Sequence, residues 1–388
     1  MLITRRGLIG SLAASSLILP ARAWRNGSAF GSGFPGQPGN PVGYAATRAN
    51  LVFNGVSYGN AAYPGSLTSH GTTGWVSGAS PSAPNVYSFL DINAGSGGVD
   101  FSGLHNVTFI GCRFQSNNNE NQNINVTGAS SNLVFLYCSI VPLVSLHASP
   151  PVAPNGITWP SAGAGYNSYQ SSYQLTTDGY EYGIEFQAGT GPTYVDHCDI
   201  WGGGNFLTIY ATTQLVSITN NWVHDSAQGG GYHNDGVGYL NGTAGPSNVT
   251  VTGNTIGSLG NTNAIAFQAA TSGYQNLIVN NNYFSGFGNM ICFWPAASSF
   301  ATGCQFENNV IGADVPWGYT GGGQILYGNQ TAYWNSANNN VWRSNKFNIP
   351  AGTPTGGVWA ANTPTWTSAD NGKFVLPNNT LSVTDWTG

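Results

Sequence analysis

The chain has 388 residues, of which only 6% are charged, whereas 41% are hydrophobic and 55 are Gly. Disordered chains combine low hydrophobicity with high net charge, and helical bundles need Ala, Glu, Lys, Leu and Arg in bulk, so both classes are excluded. Plentiful Gly, Asn, Ser and Thr, with 13% aromatic residues, is typical of strands and tight turns. The composition predicts a large all-β protein with a substantial core.

The N-terminus carries the parts of an export signal in the expected order. Arg5 and Arg6 precede an apolar run from Leu8 to Leu19, and Ala21-Arg22-Ala23 offers a cleavage site. We therefore expect residues 1–23 to be a twin-arginine signal peptide, and the mature bacterial protein to be periplasmic or secreted. The apolar run is too short to span a bilayer, so no membrane partner is expected after its removal.

The charge balance narrows the range of partners. Once the three arginines of the signal are removed, six basic residues oppose 14 acidic ones. No basic patch remains, so a nucleic-acid partner is not expected. A strongly polyanionic substrate is disfavoured as well, unless bound metal ions reverse the local sign.

Domain boundaries follow from composition. Residues 24–45 are rich in Gly, Pro, Ser and Asn without periodicity, which predicts a flexible or extended lead-in. We expect residues 46–388 to form one domain, with a C-terminal extension from about residue 350.

A pattern of nine residues recurs along the chain. Its second, fourth and ninth positions are mostly apolar, and its seventh is usually Cys or Asn. The copies begin at Asn106, Asn132, Pro192, Leu215, Asn248, Asn276, Gly303 and Asn339. A second strand pattern alternates with it from residue 183 to residue 347. Such short units bury their apolar faces only by stacking, which predicts a β-solenoid.

On these features the chain resembles the pectin-lyase-like superfamily of right-handed parallel β-helices over roughly residues 85–350. The resemblance is carried by the coil length, by Cys and Asn ladders at a turn, and by strands that are apolar inside and polar outside. It implies rungs about 4.8 Å apart and a polysaccharide or oligosaccharide as partner. The superfamily hosts lyases, glycoside hydrolases, epimerases, esterases, tailspikes and adhesins, so the fold does not name the reaction. Several of its enzymes place their sites on the outer face of one strand stack, between long loops.

The ladder interpretation gives the cysteines a structural role. Cys112, Cys138 and Cys198 occupy the turn position that Asn fills in later rungs. As stacked buried thiols they need neither a metal nor a catalytic function, and a disulfide between neighbouring rungs stays open.

Acidic residues concentrate in one window of the chain. Seven of the 14 fall between residues 178 and 235, together with three of the six His. A solvated rim would explain this, but a chain with so little charge has little general need for the concentration. The residues are Asp178, Glu181, Glu185, Asp196, Asp199, Asp225 and Asp235, with His197, His224 and His233.

Loop lengths predict a notch in this window. A short connection, from Trp201 to Asn205, separates two long ones, which leaves a gap about 9.6 Å wide at the backbone. We expect one wall to carry Asp178, Glu181 and Glu185. The other wall would carry His224, Asp225, His233 and Asp235, above an aromatic floor of Trp201 and Tyr210.

Paired carboxylates across such a gap suit inverting glycoside hydrolysis, in which a water must fit between the base and the sugar. The main hypothesis is a polysaccharide-degrading hydrolase in which Glu185 or Glu181 faces Asp235. In it His233, His224 and Asp225 share or tune proton transfer. The expected substrate-binding residues are Trp201, Tyr210, Gln187, Tyr232 and Trp294.

Asp235 has a second interpretation. It aligns with Asn205, Asn263 and Asn289, each just before an inward-facing strand, so it can equally cap that turn. His233-Asn-Asp235-Gly resembles the start of a catalytic strand in polygalacturonases. However, Asn263-Ala264 stands where that family carries paired aspartates, and polygalacturonase activity is not assigned. Glu185 aligns with Thr208, Gly238, Ala266, Cys292 and Leu326, and no ladder rule requires a carboxylate there.

Two alternatives stay open. A polysaccharide lyase would use His233 or Tyr232 as the base and a calcium ion held by aspartates; apart from that calcium, no cofactor or metal is expected. A non-catalytic binding or surface-structural solenoid would grip sugar rings with exposed aromatic residues. The aspartates in question are Asp196, Asp199, Asp225 and Asp235.

The ladder alignment also predicts contacts. Glu307 and Arg343 share the fifth position of successive coils, so they should form an ion pair worth at most about 1 kcal/mol. Six pattern residues should be buried, with Thr108, Thr250 and Ile278 pointing outward. The six are Val107, Phe109, Val249, Val251, Leu277 and Val279.

Overall fold

A computed structural model shows an all-β solenoid, and no α-helix is present among the residues it describes. It describes Pro35 and residues 40–117, 121–145, 179–187, 189–210, 214–226, 234–239, 247–258, 262–267, 274–287, 289–293, 301–312, 324–328, 339–343, 345–348 and 386–387. The predicted signal peptide and most of the predicted C-terminal extension lie outside these ranges. Within them the chain visits three sheets in turn on each rung, and the predicted parallel β-helix is confirmed.

The first sheet has ten described strands, all parallel except for the last pair. In spatial order they are β4 (Asn85–Ser88), β7 (His105–Ile110), β10 (Ser131–Leu136), β13 (Thr193–Asp196), β16 (Val216–Thr219), β19 (Val249–Thr252), β23 (Ile278–Asn280), β27 (Gln305–Glu307), β30 (Val341–Arg343) and the antiparallel β32 (Trp386–Thr387).

The second sheet also has ten described strands. They are β3 (Thr68–His70), β5 (Leu90–Asn93), β8 (Arg113–Gln115), β11 (Ser139–Val141), β14 (Asp199–Trp201), β17 (Trp222–His224), β20 (Thr255–Ser258), β24 (Tyr283–Gly286), β28 (Val310–Gly312) and β31 (Lys346–Asn348).

The third sheet has eight described strands and follows the second after each turn. They are β6 (Val99–Ser102), β9 (Gln122–Thr127), β12 (Tyr180–Phe186), β15 (Gly203–Ile209), β18 (Val237–Tyr239), β21 (Asn263–Phe267), β25 (Asn289–Phe293) and β29 (Gln324–Gly328). Two small pairs complete the described strands, the hairpin β1 (Val52–Phe53) with β2 (Val56–Ser57) and the parallel pair β22 (Tyr274–Gln275) with β26 (Ala301–Thr302).

Strand alternation builds the core as the sequence pattern predicts. The six pattern residues expected inside are all 0% exposed. Of the three expected outside, Thr250 and Ile278 are partly exposed, whereas Thr108 is fully buried. Thr108 faces outward, but the Tyr58 hydroxyl lies 3.1 Å from its Oγ1. The chain before the first rung therefore covers part of the outer surface.

Asn side chains stack at the turn between the first and second sheets. The Asn221 backbone N–H and side-chain amide donate to Asn254 Oδ1 at 2.9 and 3.0 Å, and Asn254 bonds to Asn282 in the same way. The pattern continues through Asn309 to Asn345. Each amide thus satisfies backbone groups that water cannot reach, which confirms the predicted ladder.

The cysteine ladder occupies the earlier rungs of the same turn. All five cysteines are free and buried. The Cys138 thiol donates to the Phe109 carbonyl at 3.5 Å, and Cys198 donates to the Phe135 carbonyl at 3.5 Å. Burial, with Cys112 and Cys198 as neighbours, raises the pKa of the Cys138 thiol. Such thiols are inert, in keeping with a structural role.

The end of the predicted lead-in packs against the solenoid. Val42 is 2% exposed, and the Gly43 N–H donates to the His197 carbonyl at 2.9 Å. Pro35 accepts the Thr255 hydroxyl at 2.7 Å. Residues 40–46 therefore lie over the turn between the first and second sheets, next to Ser139 and Asp199 of the second sheet.

Two details of the predicted register can be compared with the strand pairing. Cys292 pairs with Tyr327, so the assignment of Leu326 to the Glu185 column was wrong by one residue. Glu307 does pair with Arg343 on the neighbouring rung, as the alignment predicts. The Arg343 side chain lies outside the described residues, so the ion pair itself stays a prediction.

Candidate functional site

Glu185 lies on the outer face of the third sheet, in the middle of β12. Ile184 and Phe186 on either side of it point into the core. Its neighbours in register are Asn125 on the preceding rung and Thr208 on the following one. Glu185 is nevertheless only 2% exposed, which is unusual for a carboxylate outside the core.

Side chains from both adjacent rungs hold this carboxylate. The Gln122 amide donates to Glu185 Oε2 from the preceding rung. Tyr210, which follows β15 on the next rung, approaches the same carboxylate. Because donors approach from two rungs, the carboxylate is fixed in place rather than free to rotate into solvent.

A second carboxylate and a second tyrosine, Glu181 and Tyr182, lie near Glu185 and Tyr210. Tyr182 lies beside Glu181, and both residues are partly exposed. Burial, then the hydrogen bond to its carboxylate, then the nearby negative charges raise the pKa of Tyr182, and the same causes raise the pKa of Tyr210. Both hydroxyls therefore keep their protons and act as donors.

Polar atoms next to Glu185 are buried without a partner. Thr208 is 0% exposed, and its Oγ1 has no hydrogen-bond partner; Asn125 Oδ1 is buried and unpaired in the same way. An unsatisfied buried polar atom costs roughly 1–3 kcal/mol. Both atoms flank the Glu185 carboxylate and, like it, are shielded from solvent.

The surroundings of this face are negative. Residues 114–342 of the sequence contain no Lys and no Arg, but they contain ten Asp and Glu. No Lys or Arg therefore comes from the stretch of sequence that supplies this face.

Asp235 belongs to a turn ladder instead of this face. Its Oδ1 accepts the Asn263 N–H at 3.0 Å and the Thr262 hydroxyl at 2.8 Å, and its own N–H donates to Asn205 Oδ1 at 3.1 Å. It is 0% exposed. The register sets it two rungs and three residues from Glu185, roughly 14 Å between Cα atoms. The structure thus gives Asp235 the turn-capping role that its alignment left open.

His224 and Asp225 lie elsewhere too, on and beside the outer face of the second sheet. His224 Nδ1 is 2.7 Å from Asp225 Oδ2, and its Nε2 is 2.7 Å from Asp199 Oδ1. Its ring stacks on Trp222 at 3.3 Å. His224 thus lies on the second sheet and Glu185 on the third, so these two residues of the expected notch do not share a face.

Burial by itself lowers the pKa of His224, which is fully buried. Hydrogen bonds and charge from Asp199 and Asp225 outweigh that effect and raise the pKa above 6.5. The cluster is therefore a buried imidazole between two carboxylates that favour its protonated form.

The remaining predicted binding residues that the structure describes belong to the second and third sheets. Trp201 is 4% exposed and pairs with His224 on the second sheet, so it does not form a floor under Glu185. Gln187 follows β12 and is partly exposed, next to Tyr210 in register. Asp178, Tyr232, His233 and Trp294 lie outside the described residues.

No group of three or more His, Cys, Asp or Glu within the described chain is arranged to hold a metal ion. Asp196, one of the predicted calcium ligands, accepts the Thr219 hydroxyl at 2.6 Å and the Asn220 amide at 2.9 Å. Its other oxygen lies 2.6 Å from His197 Nδ1. Protein donors already occupy this carboxylate.

None of the described helical segments is long and apolar enough to cross a membrane.

Several members of the site escaped the sequence analysis. Gln122 and Asn125 come from a rung whose third-sheet strand lacks the apolar motif used for alignment. Tyr182 was visible beside Glu181, but only the strand register places it with Tyr210. Gln122 is in register with Tyr182, and Asn125 with Glu185, so an alignment of this rung is the signal that could have found them.

The fold and the outer-face cluster define a parallel β-helix protein with a carboxylate–tyrosine site. Neither a protein-family profile nor a curated protein matches the chain. Among solved structures, it is similar to the A-module of the mannuronan C-5 epimerase AlgE6 from Azotobacter vinelandii. The TM-score is 0.30 and the identity 12%, over 67% of this chain and 78% of that one. A similarity this low carries no conclusion about activity.

Proposed function

We propose that the protein is a polysaccharide-acting glycoside hydrolase whose site is the Glu181–Glu185 face of the third sheet. The observation that carries the proposal is the buried carboxylate of Glu185, held by Gln122 and Tyr210 beside the unpaired Thr208 Oγ1. No turn or ladder of the solenoid needs a carboxylate at this position. A buried, oriented carboxylate beside an unsatisfied polar atom is typical of a reacting group.

Hydrolysis needs two carboxyl groups with different tasks. Glu185 accepts a hydrogen bond from Gln122 and lies beside Tyr210, so it is set up as an acceptor that takes a proton from water or attacks the anomeric carbon. Glu181, which is partly exposed, is the group that would donate a proton to the leaving oxygen. Water then adds its hydroxyl to the anomeric carbon as the glycosidic bond breaks.

The lyase alternative finds less support on this face. A lyase must abstract a carbon-bound proton and neutralise an adjacent carboxylate. The raised pKa of Tyr182 and Tyr210 makes both poor bases, and no Lys or Arg occurs between residues 114 and 342. A non-catalytic carbohydrate-binding solenoid remains the outcome if no substrate turns over.

We also propose membership of the pectin-lyase-like superfamily and export by the twin-arginine pathway. The parallel β-helix supports the first, and the order of parts in residues 1–23 supports the second.

Incubation with a panel of neutral and acidic polysaccharides, with and without calcium, tests the main proposal. New reducing ends without ultraviolet absorbance are expected; an unsaturated product would indicate a lyase instead. Glu185→Gln and Glu181→Gln should each lower kcat by roughly 10²–10⁴-fold, since each removes one proton-transfer group. Glu307→Gln, on the first sheet, is the matched control and should keep full activity.

The stereochemistry of the product, followed by NMR, identifies the role of Glu185. Inversion indicates a general base that activates water, and retention indicates a nucleophile. If Glu185→Gln and Glu181→Gln both retain wild-type kcat, this face is not the active site. If no polysaccharide of the panel is cleaved, the hydrolase proposal fails.

A further inference from the structure

The side chain of Gln122 departs from the turn ladder to which its position belongs. In that ladder polar side chains bind the neighbouring rung at the same position, as where the Asp235 N–H donates to Asn205 Oδ1 at 3.1 Å. Strand pairing sets Gln122 in the same column, two rungs before Asn205, with Tyr182 between them. The Gln122 amide, however, donates to Glu185 Oε2, three residues beyond Tyr182 on the next rung. The contact is therefore not a repeat of the ladder.

The chemistry of this contact favours one state of the carboxyl group. The Gln122 nitrogen that faces Glu185 Oε2 carries only donors, so the carboxyl oxygen has to accept. A hydrogen bond to the charged form of a group favours that form, and a donor to a carboxylate binds more strongly than one to a neutral oxygen. Among the described residues, the titratable groups around Glu185 are Glu181 and Tyr182 on the same strand and Tyr210 from the following rung.

We propose that Gln122 is a positioning residue of this site, which holds Glu185 ionised and in one orientation. The inference rests on the proposed function for the task of Glu185, and it adds the residue that keeps this carboxylate ready to accept a proton from water or to attack the anomeric carbon. Gln122 acts through Glu185 and not on the substrate. The protonation state of the site is thus set by the stacking of two rungs.

NMR of protein labelled with ¹⁵N in its Gln side chains tests the contact without a substrate. Gln122→Met, which keeps the length of the side chain and removes the amide, identifies the Gln122 signal. The amide proton should move upfield in Glu185→Gln, because an amide oxygen is a weaker acceptor than a carboxylate. Glu307→Gln, on the first sheet, should leave the signal in place.

Kinetics on a polysaccharide that the enzyme cleaves test the positioning role. Gln122→Met should lower kcat about tenfold and keep KM within about twofold, because Glu185 loses a hydrogen bond while the substrate loses none. The acidic limb of the pH–rate profile should move to higher pH, which a merely structural contact would not cause. If Gln122→Met does not fold, Gln122→Asn, which is one methylene shorter, replaces it.

The matched control lies on the second sheet, where the Gln115 amide donates to Asp91 Oδ1 at 2.6 Å across two rungs. Gln115→Met therefore removes the same kind of contact away from the site. It should keep the kcat and the pH–rate profile of the wild type, even if it lowers the melting temperature.

An exchange of the two side chains separates the contact from the position of the charge. Gln122→Glu brings two carboxylates together, which share one proton at acidic pH. The folded variant binds that proton more tightly than the unfolded chain, so its free energy of unfolding relative to the wild type should rise as the pH falls. Adding Glu185→Gln should restore stability at neutral pH, since an amide again faces a carboxylate. The kcat of this double variant should stay at least about a hundredfold below that of the wild type, because the carboxylate has moved to another rung.

The outcomes separate this inference from the proposed function. A Gln122 signal that does not respond to Glu185→Gln, or a Gln122→Met variant with the wild-type kcat and pH–rate profile, overturns the inference. Turnover that depends on Glu185 but not on Gln122 supports the hydrolase and contradicts the inference. If no polysaccharide is cleaved, the hydrolase fails, and the NMR signal and the pH dependence of Gln122→Glu still decide whether Gln122 holds Glu185 ionised.

Discussion

Tyr210 reaches the Glu185 carboxylate from the neighbouring rung of the solenoid, and burial together with that carboxylate raises the pKa of its hydroxyl. The two residues are 25 positions apart in sequence, but strand pairing brings Phe186 and Ile209, the residues beside them, into register. The contact ties two coils together across the outer face. It also fixes the orientation of the carboxylate that we propose as the reacting group.

The Tyr210–Glu185 contact should show up as a coupling in stability. We expect Tyr210→Phe to destabilise the protein by roughly 1–3 kcal/mol, because a buried carboxylate loses a donor. The same change made in the Glu185→Gln background should cost much less. Urea unfolding of the two single variants and the double variant measures the coupling energy. Tyr194→Phe, a partly buried tyrosine of the first sheet, is the control. A coupling within error of zero would contradict the contact.

Asp235 should tolerate replacement by Asn but not by Ala. Asn at this position keeps the oxygen that accepts the Asn263 N–H and the Thr262 hydroxyl, as in the Asn residues of the neighbouring rungs. Asp235→Ala leaves those buried donors unpaired, which should cost at least about 2 kcal/mol. Thermal unfolding followed by circular dichroism compares the two. Asp235→Asn that folds and melts normally but has lost all turnover would give Asp235 a catalytic task after all.

The His224 cluster predicts a pH dependence of stability. The carboxylates of Asp199 and Asp225 raise the pKa of His224 above 6.5 in the folded state. Its contribution to stability is therefore fully present below about pH 6.5 and is lost as the pH rises through the raised value. His224→Gln should flatten this part of the profile. Melting temperatures of the wild type and the variant from weakly acidic to alkaline pH test it, and parallel profiles would contradict the assignment.

Residues 40–46 form a segment that covers part of the solenoid, and at Gly43 this segment lies very close to the second sheet. A Cβ on Gly43 would lie 2.8 Å from Ser139 Oγ and 2.9 Å from Asp199 Cβ, and its φ is 80°. Gly43→Ala should therefore loosen the segment and expose it to limited proteolysis. Gly59→Ala has a similar φ of 63° but nothing within 4 Å, so it shares the backbone strain of about 1–2 kcal/mol without the clash. Equal protease sensitivity of the two variants would show that the segment does not depend on this contact.

The architecture could be predicted because its causes are local and repeated. Apolar residues such as Val107 and Phe109 alternate with polar ones, and the ladder asparagines recur at a fixed turn position. Each rung has to bury the apolar face of its strands and to pair the buried polar groups of its turn. A repeated pattern of apolar and turn residues in the sequence is therefore enough to predict that the rungs stack. The same logic left open a capping role for Asp235, which the structure now shows.

The site could not be predicted in the same way, because its members meet across rungs whose loops differ in length. The sequence alone determined that acidic residues concentrate between residues 178 and 235, and it singled out Glu181, Glu185 and Tyr210. Only the tertiary structure assigned Glu185 to the third sheet and His224 to the second. The physical reason is that a side chain's face depends on the strand that carries it and on the register of its neighbours. A shift of one residue reverses that face, and loop lengths do not determine it.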